Sequence, residues 1–157
     1  MNDKDLIDFG NVSAAVNDIL QEGVLLYRHD HVAADARFRA ALELDPAALP
    51  SYFCLYKIHT YQGRLDDALI VAQAGLAEAS RQAQISSDWQ TWTREAIARA
   101  PRLPAHFALY TLKAMAFIHL KRGEAEESRR CLATLSDLGE IDAVGGGVIA
   151  DLARAVA

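Results

Sequence analysis

The chain has 157 residues, of which 52% are hydrophobic and 24% charged, and its formal net charge is −5. These values are typical of one globular domain with a substantial core, and the acidic balance argues against broad attraction to nucleic acid or an anionic membrane. Cys54 and Cys131 lie far apart with no neighbouring cysteine, so we expect a reducing, cytoplasmic location. The N-terminal residues lack the apolar run of a signal peptide, and no apolar stretch approaches the ~18–20 residues that span a bilayer.

The spacing of apolar residues predicts helices throughout the chain. Apolar residues recur three or four positions apart, and the alternation typical of strands is missing. Residues 1–11 are expected to form a flexible tail, followed by a single domain over 12–157. Ser13 is the expected N-cap of a first helix that reaches Tyr27. A second helix covers HVAADARFRAALEL and ends before Pro46, because proline cannot continue a helix.

The remaining helices are expected in antiparallel pairs around one insertion. A third helix begins at Pro50, and a fourth follows the break at Gly63. Residues 87–100 are predicted to form an inserted helix in which Trp89 and Trp92 share one face. Two more helices flank the break at Gly123, and a flexible glycine-rich joint, VGGG, leads to a last helix over 146–157. The prediction is an all-α fold of eight helices.

Two strings in the chain have the same form, Ile58-His59 followed by Gly63 and Ile118-His119 followed by Gly123. Around them, large residues in one helix and small residues in the next recur at matching offsets. The first copy carries Tyr52, Leu55, Tyr56, His59, Gly63, Ala68, Ala72, Gly75 and Leu76, and the second carries Leu112, Met115, Ala116, His119, Gly123, Ser128, Leu132 and Leu135. This pattern resembles the tetratricopeptide repeat (TPR), a helix–turn–helix unit of roughly 34 residues.

The resemblance implies an antiparallel helix-pair solenoid of about three units, at residues 15–48, 49–84 and 104–139, with the last helix capping its open end. The first unit departs from the family pattern at Glu22, where an apolar residue is usual. In length and acidity the chain is similar to small three-repeat chaperones of bacterial secretion systems. Around YFCLYKIHTYQGRLDDAL it is similar to small TPR proteins found among nitrogen-fixation genes of diazotrophic bacteria. In such repeats the two histidine positions fill space between paired helices.

No arrangement of residues in the sequence supports an active site. His29-Asp30-His31 is expected to be a solvated turn rather than a metal site, because zinc sites draw on more ligands at longer spacing. The glycine-rich VGGGV lacks the Gly-Lys-Ser/Thr ending of a phosphate-binding loop. Cys54 and Cys131 are expected to be buried structural thiols. We therefore expect no enzymatic activity, no cofactor and no metal.

The resemblance also implies which residues line the concave groove formed by the first helix of each unit. These positions are Asn17, Leu20, Val24, Tyr27 and Arg28 in the first unit, Pro50, Phe53, Lys57, Thr60 and Tyr61 in the second, and Tyr110, Lys113, Phe117, Leu120 and Lys121 in the third. Three of the four lysines and five of the twelve aromatic residues of the chain belong to this set, and no acidic residue does. Such a groove suits a protein or peptide segment that is acidic and has apolar anchors.

Two functional hypotheses follow, and a third, a metal-dependent activity built on His59 and His119, is disfavoured because nothing in the sequence brings the two histidines together. The first is a non-enzymatic adaptor or chaperone that binds a peptide segment in this basic and aromatic groove. The second is a homo-oligomeric assembly protein, such as a homodimer, whose interface is the helix of Trp89 and Trp92 or the last helix. The competing interpretation of the tryptophans is that they anchor the inserted helix to the second repeat. Neither hypothesis involves nucleic acid or a membrane.

Overall fold

The computed structural model describes residues 7–155, and within this range the chain forms eight α-helices and no strand. The helices are α1 (Ala14–Tyr27), α2 (His31–Leu44), α3 (Leu49–Tyr61), α4 (Leu65–Ala83), α5 (Arg94–Arg99), α6 (Arg102–Lys121), α7 (Ala125–Asp137) and α8 (Gly146–Ala155). The predicted all-α class is therefore confirmed. None of the described helices is both long and apolar enough to cross a lipid bilayer.

Polar side chains fix where several helices begin. The Ser13 hydroxyl accepts a hydrogen bond from the backbone N–H of Val16 at 3.2 Å, so Ser13 caps α1 as predicted. The Asp30 carboxylate caps α2 in the same way, through the N–H of Ala33 at 3.0 Å. The string His29-Asp30-His31 thus belongs to a helix–helix turn, which agrees with its interpretation from sequence.

The two glycines of the repeated strings end their helices with identical geometry. Gly63 and Gly123 have φ angles of +74° and +81°, a left-handed conformation that residues with a side chain adopt at a cost. In both copies the backbone N–H after the glycine donates to the carbonyl of the histidine, His59 or His119, at 2.9 Å. This bond satisfies a carbonyl that the helix leaves free at its C-terminal end. The two strings therefore end their helices with the same type of turn.

Packing follows the order of the chain. Helix α1 packs on α2, α2 on α3 and α3 on α4. Helix α4 then packs on α6, α6 on α7 and α7 on α8. One core lies among α1, α2 and α3 and includes Val16, Leu20, Phe38, Leu55 and Ile58. A second core extends from Tyr56 of α3 through α4, α6 and α7 to Ile149 of α8. Helix α3 thus contributes side chains to both cores.

Two glycines allow paired helices to approach closely. A Cβ atom at Gly23 in α1 would lie 2.5 Å from Cε1 of Phe38 in α2. A Cβ atom at Gly75 in α4 would lie 2.9 Å from Cβ of Tyr52 in α3. Both distances are too short for a real side chain. The prediction that large residues of the first helix meet small residues of the second is confirmed at Tyr52 and Gly75. At Gly23 and Phe38 the order is reversed, because the small residue lies on the first helix of the pair.

The segment 87–100 differs from its prediction as one inserted helix. Trp89–Thr91 form a single 3-10 turn, and α5 begins only at Arg94. The break has a local cause, because the Asp88 carboxylate caps the 3-10 turn and the Thr93 hydroxyl caps α5 separately. Trp92 therefore lies in the extended link between the two pieces rather than on a shared helix face with Trp89. The 3-10 turn packs against α7 of the third pair, and α4 packs directly on α6.

Two segments that are predicted to be flexible have defined contacts. Within the predicted N-terminal tail, residues 7–11 are held against the domain, while residues 1–6 lie outside the described part. The glycine-rich joint is also ordered, because Gly146 and Gly147 already belong to α8 and Val144 is buried. A Cβ atom at Gly146 would lie 2.8 Å from Cγ1 of Ile141, so this turn is closely packed. The last two residues of the predicted 146–157 helix are not among the described residues.

Candidate peptide-binding groove

A cavity of about 300 Å³ lies among α3, α6 and α8, and we call it the lysine cavity. Its described lining consists of Phe53, Tyr56, Lys57, Thr60, Tyr61, Tyr110, Lys113, Ala114, Phe117, Gly145, Val148 and Ile149. Seven of these residues are predicted from the sequence to share a groove, and they come from α3 and α6. None of the described residues that line the cavity is acidic.

Each predicted lysine lies beside an aromatic ring of its own helix. Nζ of Lys57 is 5.1 Å from the ring centre of Phe53, and Nζ of Lys113 is 4.0 Å from that of Tyr110. Such cation–π contacts contribute roughly 0.5–1 kcal/mol at exposed sites. They also hold the ammonium groups beside the rings. The lysine cavity therefore combines positive charge with apolar surface.

The three described lysines differ from several of the arginines in how their charge is balanced. Arg39 in α2 and Arg81 in α4 form ion pairs with carboxylates of their own helices, and Arg129 and Arg130 in α7 do the same. Across residues 7–155, by contrast, no carboxylate lies within 4 Å of the ammonium group of Lys57, Lys113 or Lys121. The free positive charge of the described lysines thus lies on α3 and α6, although the whole chain is acidic.

Eight of the fifteen predicted groove residues do not line the lysine cavity: Asn17, Leu20, Val24, Tyr27, Arg28, Pro50, Leu120 and Lys121. The ring of Tyr27 stacks on that of His31, with their centres 4.5 Å apart, and Arg28 follows it at the end of α1. Leu120 is half-buried and packs against the second core. Nζ of Lys121 lies 5.3 Å from the ring centre of Phe117, at the last residue of α6.

Leu20 corrects the assignment of the first unit. The resemblance places it among the groove positions, but its side chain is fully buried in the first core. Val24 also packs partly against that core. The apolar face of α1 therefore serves mainly to pack against α2 and α3.

The sequence does not reveal the part of the lysine cavity that α8 contributes. It predicts Val148 and Ile149 on one face of an end cap, whereas both line this cavity. Helix α8 reaches the cavity because it packs against both α6 and α7. Its apolar stripe indicates a buried face but not the element that covers it. Tyr56, whose hydroxyl lies 3.4 Å from Oγ1 of Thr111, is likewise identified by the sequence only as a repeat position.

A second cavity, of about 690 Å³, adjoins the first, and we call it the apolar cavity. Its described lining consists of Ile7, Asp8, Phe9, Gly10, Asn11, Ala47, Ala48, Leu49, Pro50, Phe53, Gln82, Leu103, Pro104, His106, Phe107 and Tyr110. The first turns of α3 and α6 line this cavity, and their later turns line the lysine cavity. The rings of Phe53 and Tyr110 belong to both linings, and their centres are 5.7 Å apart.

One wall of the apolar cavity is the N-terminal segment, residues 7–11. The buried Gln21 side chain holds this segment with two hydrogen bonds to the backbone of Ile7. Its Oε1 accepts from the N–H at 3.1 Å, and its Nε2 donates to the carbonyl at 2.6 Å. Phe9 packs against the first core. Ile7 and Phe9 therefore attach this segment to the domain.

The two equivalent histidines have different surroundings. His59 is fully buried, and neither ring nitrogen has a hydrogen-bond partner in the described part of the chain. His119 is 12% exposed, and its Nδ1 lies 3.0 Å from Oε1 of Glu124. The hydrogen bond with His119 lowers the pKa of the Glu124 carboxyl. The prediction that these histidines fill space between helices holds for His59, while His119 is part of a polar contact at the turn.

Burial lowers the pKa of His59 below its ordinary value, with further lowering by Arg64 and Arg39 and opposition from Asp35 and Asp67. The unfolded chain therefore takes up a proton at this position at a higher pH than the folded chain. Because the unfolded state binds more protons below about pH 6.5, the free energy of unfolding should fall as the pH decreases from 7 to 5. Urea denaturation at several pH values measures this change.

In a His59→Leu variant the free energy of unfolding should fall less over the same pH range, because the variant lacks the imidazole whose pKa is lowered by burial. The exposed His106 provides a control for the substitution itself, and His106→Gln should leave the free energy of unfolding at pH 7 nearly unchanged. An identical slope for His59→Leu and the unmodified protein would contradict the assignment.

The described residues contain neither a reactive thiol nor a cluster of metal ligands. Burial raises the pKa of the Cys54 and Cys131 thiols to about 12, which keeps both protonated at neutral pH. Both thiols are free and buried, as the sequence predicts. In the range that the structure describes, no group of three or more His, Cys, Asp or Glu side chains is placed to hold a metal ion.

Comparison of the chain with protein-family models, with curated proteins and with solved structures found no match. The functional assignment is therefore based on the geometry of the groove.

Proposed function

We propose that the protein is a non-enzymatic adaptor or chaperone that binds an acidic peptide segment in the groove between α3 and α6. The observation that carries this proposal is the pair Lys57 and Lys113, which lie beside aromatic rings and form no ion pair within residues 7–155, at a cavity whose described lining has no acidic residue. Positive groups attract an acidic segment over distance, and aromatic surface supplies contact area once it is bound. Solenoid packing and membership of the TPR class are part of the same proposal.

The contrast with the arginines supports this assignment. Arginines that form ion pairs within their own helix have their charge largely compensated there, so they offer little to a ligand. Lys57 and Lys113 have no such partner among the described residues, and a bound carboxylate would be their first counter-charge. Their positions in two successive pairs also allow one extended segment to contact both.

Binding can be tested with a synthetic heptapeptide that carries three acidic residues between two phenylalanines and a fluorescent label. Fluorescence anisotropy should detect saturable binding that weakens as salt increases, because screening reduces the attraction between charges. Lys57→Glu and Lys113→Glu should each weaken binding by about tenfold or more, since each places like charges together. A peptide with lysines in place of the acidic residues should bind much more weakly.

Arg99→Glu is the matched control, because it makes the same charge change at an exposed position on α5, outside both cavities. It should alter the affinity by less than about twofold, and circular dichroism should show unchanged helicity in all variants. If Lys113→Glu and Arg99→Glu bound the peptide equally well, the lysine cavity would not be the binding site.

A second candidate function is homo-oligomeric assembly through α8. Val148 and Leu152 are exposed apolar residues on this helix, with 69% and 46% of their surface accessible. An association through this face would bury them and cover one wall of the lysine cavity. Light scattering distinguishes the two functions, because Val148→Asp with Leu152→Asp would reduce the mass of an oligomer and leave that of a monomer unchanged.

A further inference from the structure

The apolar cavity has the size of a ligand-binding pocket. Its volume of about 690 Å³ lies in the range of roughly 300–1,000 Å³ that is usual for binding pockets. Leu103, at its edge, has 71% of its surface exposed, although the side chain is large and apolar. Leu49, Pro50, Pro104 and Phe107 complete an apolar lining from the first turns of α3 and α6. This surface gains stability if an apolar group covers it.

The cavity is continuous with the lysine cavity. Phe53 and Tyr110 line both, one from each helix. A ligand that lies on these two rings therefore has the lysines on one side and the apolar cavity on the other. This continuity favours one extended occupant over two separate ligands.

None of the described residues that line the apolar cavity is a lysine or an arginine. The Asp8 carboxylate accepts a hydrogen bond from the N–H of Gly10 at 2.8 Å, and it gives this end a negative charge. The Gln82 amide already donates to the carbonyl of Ala47 at 2.7 Å. The acidic residues of a ligand are therefore expected at the lysine end and its apolar residue at this end.

The helices set the spacing between the two parts of such a ligand. Lys57 follows Pro50 by seven residues in α3, and Lys113 follows His106 by seven in α6. At 1.5 Å per residue, each interval is about 10 Å along the helix axis. An extended peptide covers about 10 Å in roughly three residues.

We propose that the apolar cavity binds a large apolar side chain of the same segment whose acidic residues contact the lysine cavity, about three residues away. The inference rests on the proposed function, which it extends by defining the ligand as a bipartite segment. Residues 7–11 form one wall of the apolar site.

Selection from a random dodecapeptide phage library tests this inference, because the library samples both parts of the ligand at every spacing. The probe is the library itself, and the full chain is the immobilised target. We expect peptides that carry an acidic residue and a large apolar residue about three positions apart. Selection on Lys57→Glu, Lys113→Glu protein should lose the acidic preference. Selection on Leu103→Asp protein should lose the apolar preference at that spacing and keep the acidic one.

Leu103→Asp alters an exposed side chain, so the fold should survive, and Ile70→Asp is a matched control at an exposed position of α4 outside both cavities. Synthetic copies of selected peptides should bind Leu103→Asp at least about tenfold more weakly than Ile70→Asp. Acidic peptides without an apolar residue at fixed spacing would overturn the inference and leave the proposed function intact. A lack of acidic preference on the unmodified protein would overturn the proposed function itself.

Discussion

Replacement of Phe38 by alanine should lower the free energy of unfolding by about 3–5 kcal/mol, because this ring is almost completely buried between α1 and α2. The loss is a large fraction of the ~5–15 kcal/mol that typically stabilises a domain. Urea denaturation followed by circular dichroism measures it. Val32→Ala is the matched control on the same helix, since Val32 is 81% exposed, and it should change stability by no more than about 0.5 kcal/mol.

Because Gly23 lies against Phe38, the substitution Gly23→Ala should have opposite effects on stability with and without the Phe38 ring. In the unmodified protein, Gly23→Ala should destabilise, because the new Cβ would lie 2.5 Å from the Phe38 ring. In the Phe38→Ala background that obstruction is gone, and the same substitution should stabilise by about 1 kcal/mol through the higher helix propensity of alanine. An effect of Gly23→Ala with the same sign in both backgrounds would contradict the close packing of α1 on α2.

Replacement of Trp92 by alanine should also lower the free energy of unfolding by about 3–5 kcal/mol, because Trp92 belongs to the second core. Only 7% of Trp92 is exposed, and its Nε1–H donates to the carbonyl of Ser86 at 2.6 Å. Trp92→Phe should retain part of the packing and lose this hydrogen bond, so its cost should be smaller. Urea denaturation monitored by circular dichroism measures both variants.

The same variants test whether Trp92 mediates self-association. A buried anchor affects stability without changing the molecular mass, whereas an interface residue changes the mass. We therefore expect light scattering to give the same mass for Trp92→Ala and for the unmodified protein under native conditions. A lower mass for the variant, with an unchanged free energy of unfolding, would instead support an interface at this position.

Most helix positions can be predicted because their signals are local. Ser13, the break at Gly63 and the break at Gly123 act within a few residues of themselves, and the structure places helix ends at or beside all three. The prediction of one helix over 87–100 relied on the helical spacing of the two tryptophans. It is wrong because two successive caps, at Asp88 and Thr93, divide the segment. Residues three positions apart can belong to one helix or to two separate pieces, so the spacing of the tryptophans alone could not decide between these arrangements.

The groove can be predicted only in part, because its lining depends on contacts between distant segments. Lys57 and Lys113 are found from their offsets in two repeated units, which needs no tertiary information. The contribution of α8 and the anchoring of Ile7 by Gln21 depend on how remote segments pack. Similarly, His59 and His119 occupy matching positions of the two sequence strings, yet only the His119 ring bonds to the side chain of the residue after its turn, Glu124.

Helix α3 has a consequence for the energetics of the whole molecule. Its Leu55 and Ile58 belong to the first core, Tyr56 belongs to the second, and Phe53 lines both cavities. Loss of α3 would remove side chains from both cores at once, so the two halves are expected to unfold in one cooperative step. A ligand that binds only the folded groove then stabilises both halves by RT ln(1 + [L]/Kd). Amide protons of α1 and α7, which contribute no residue to the described lining of either cavity, should exchange more slowly when the groove is occupied.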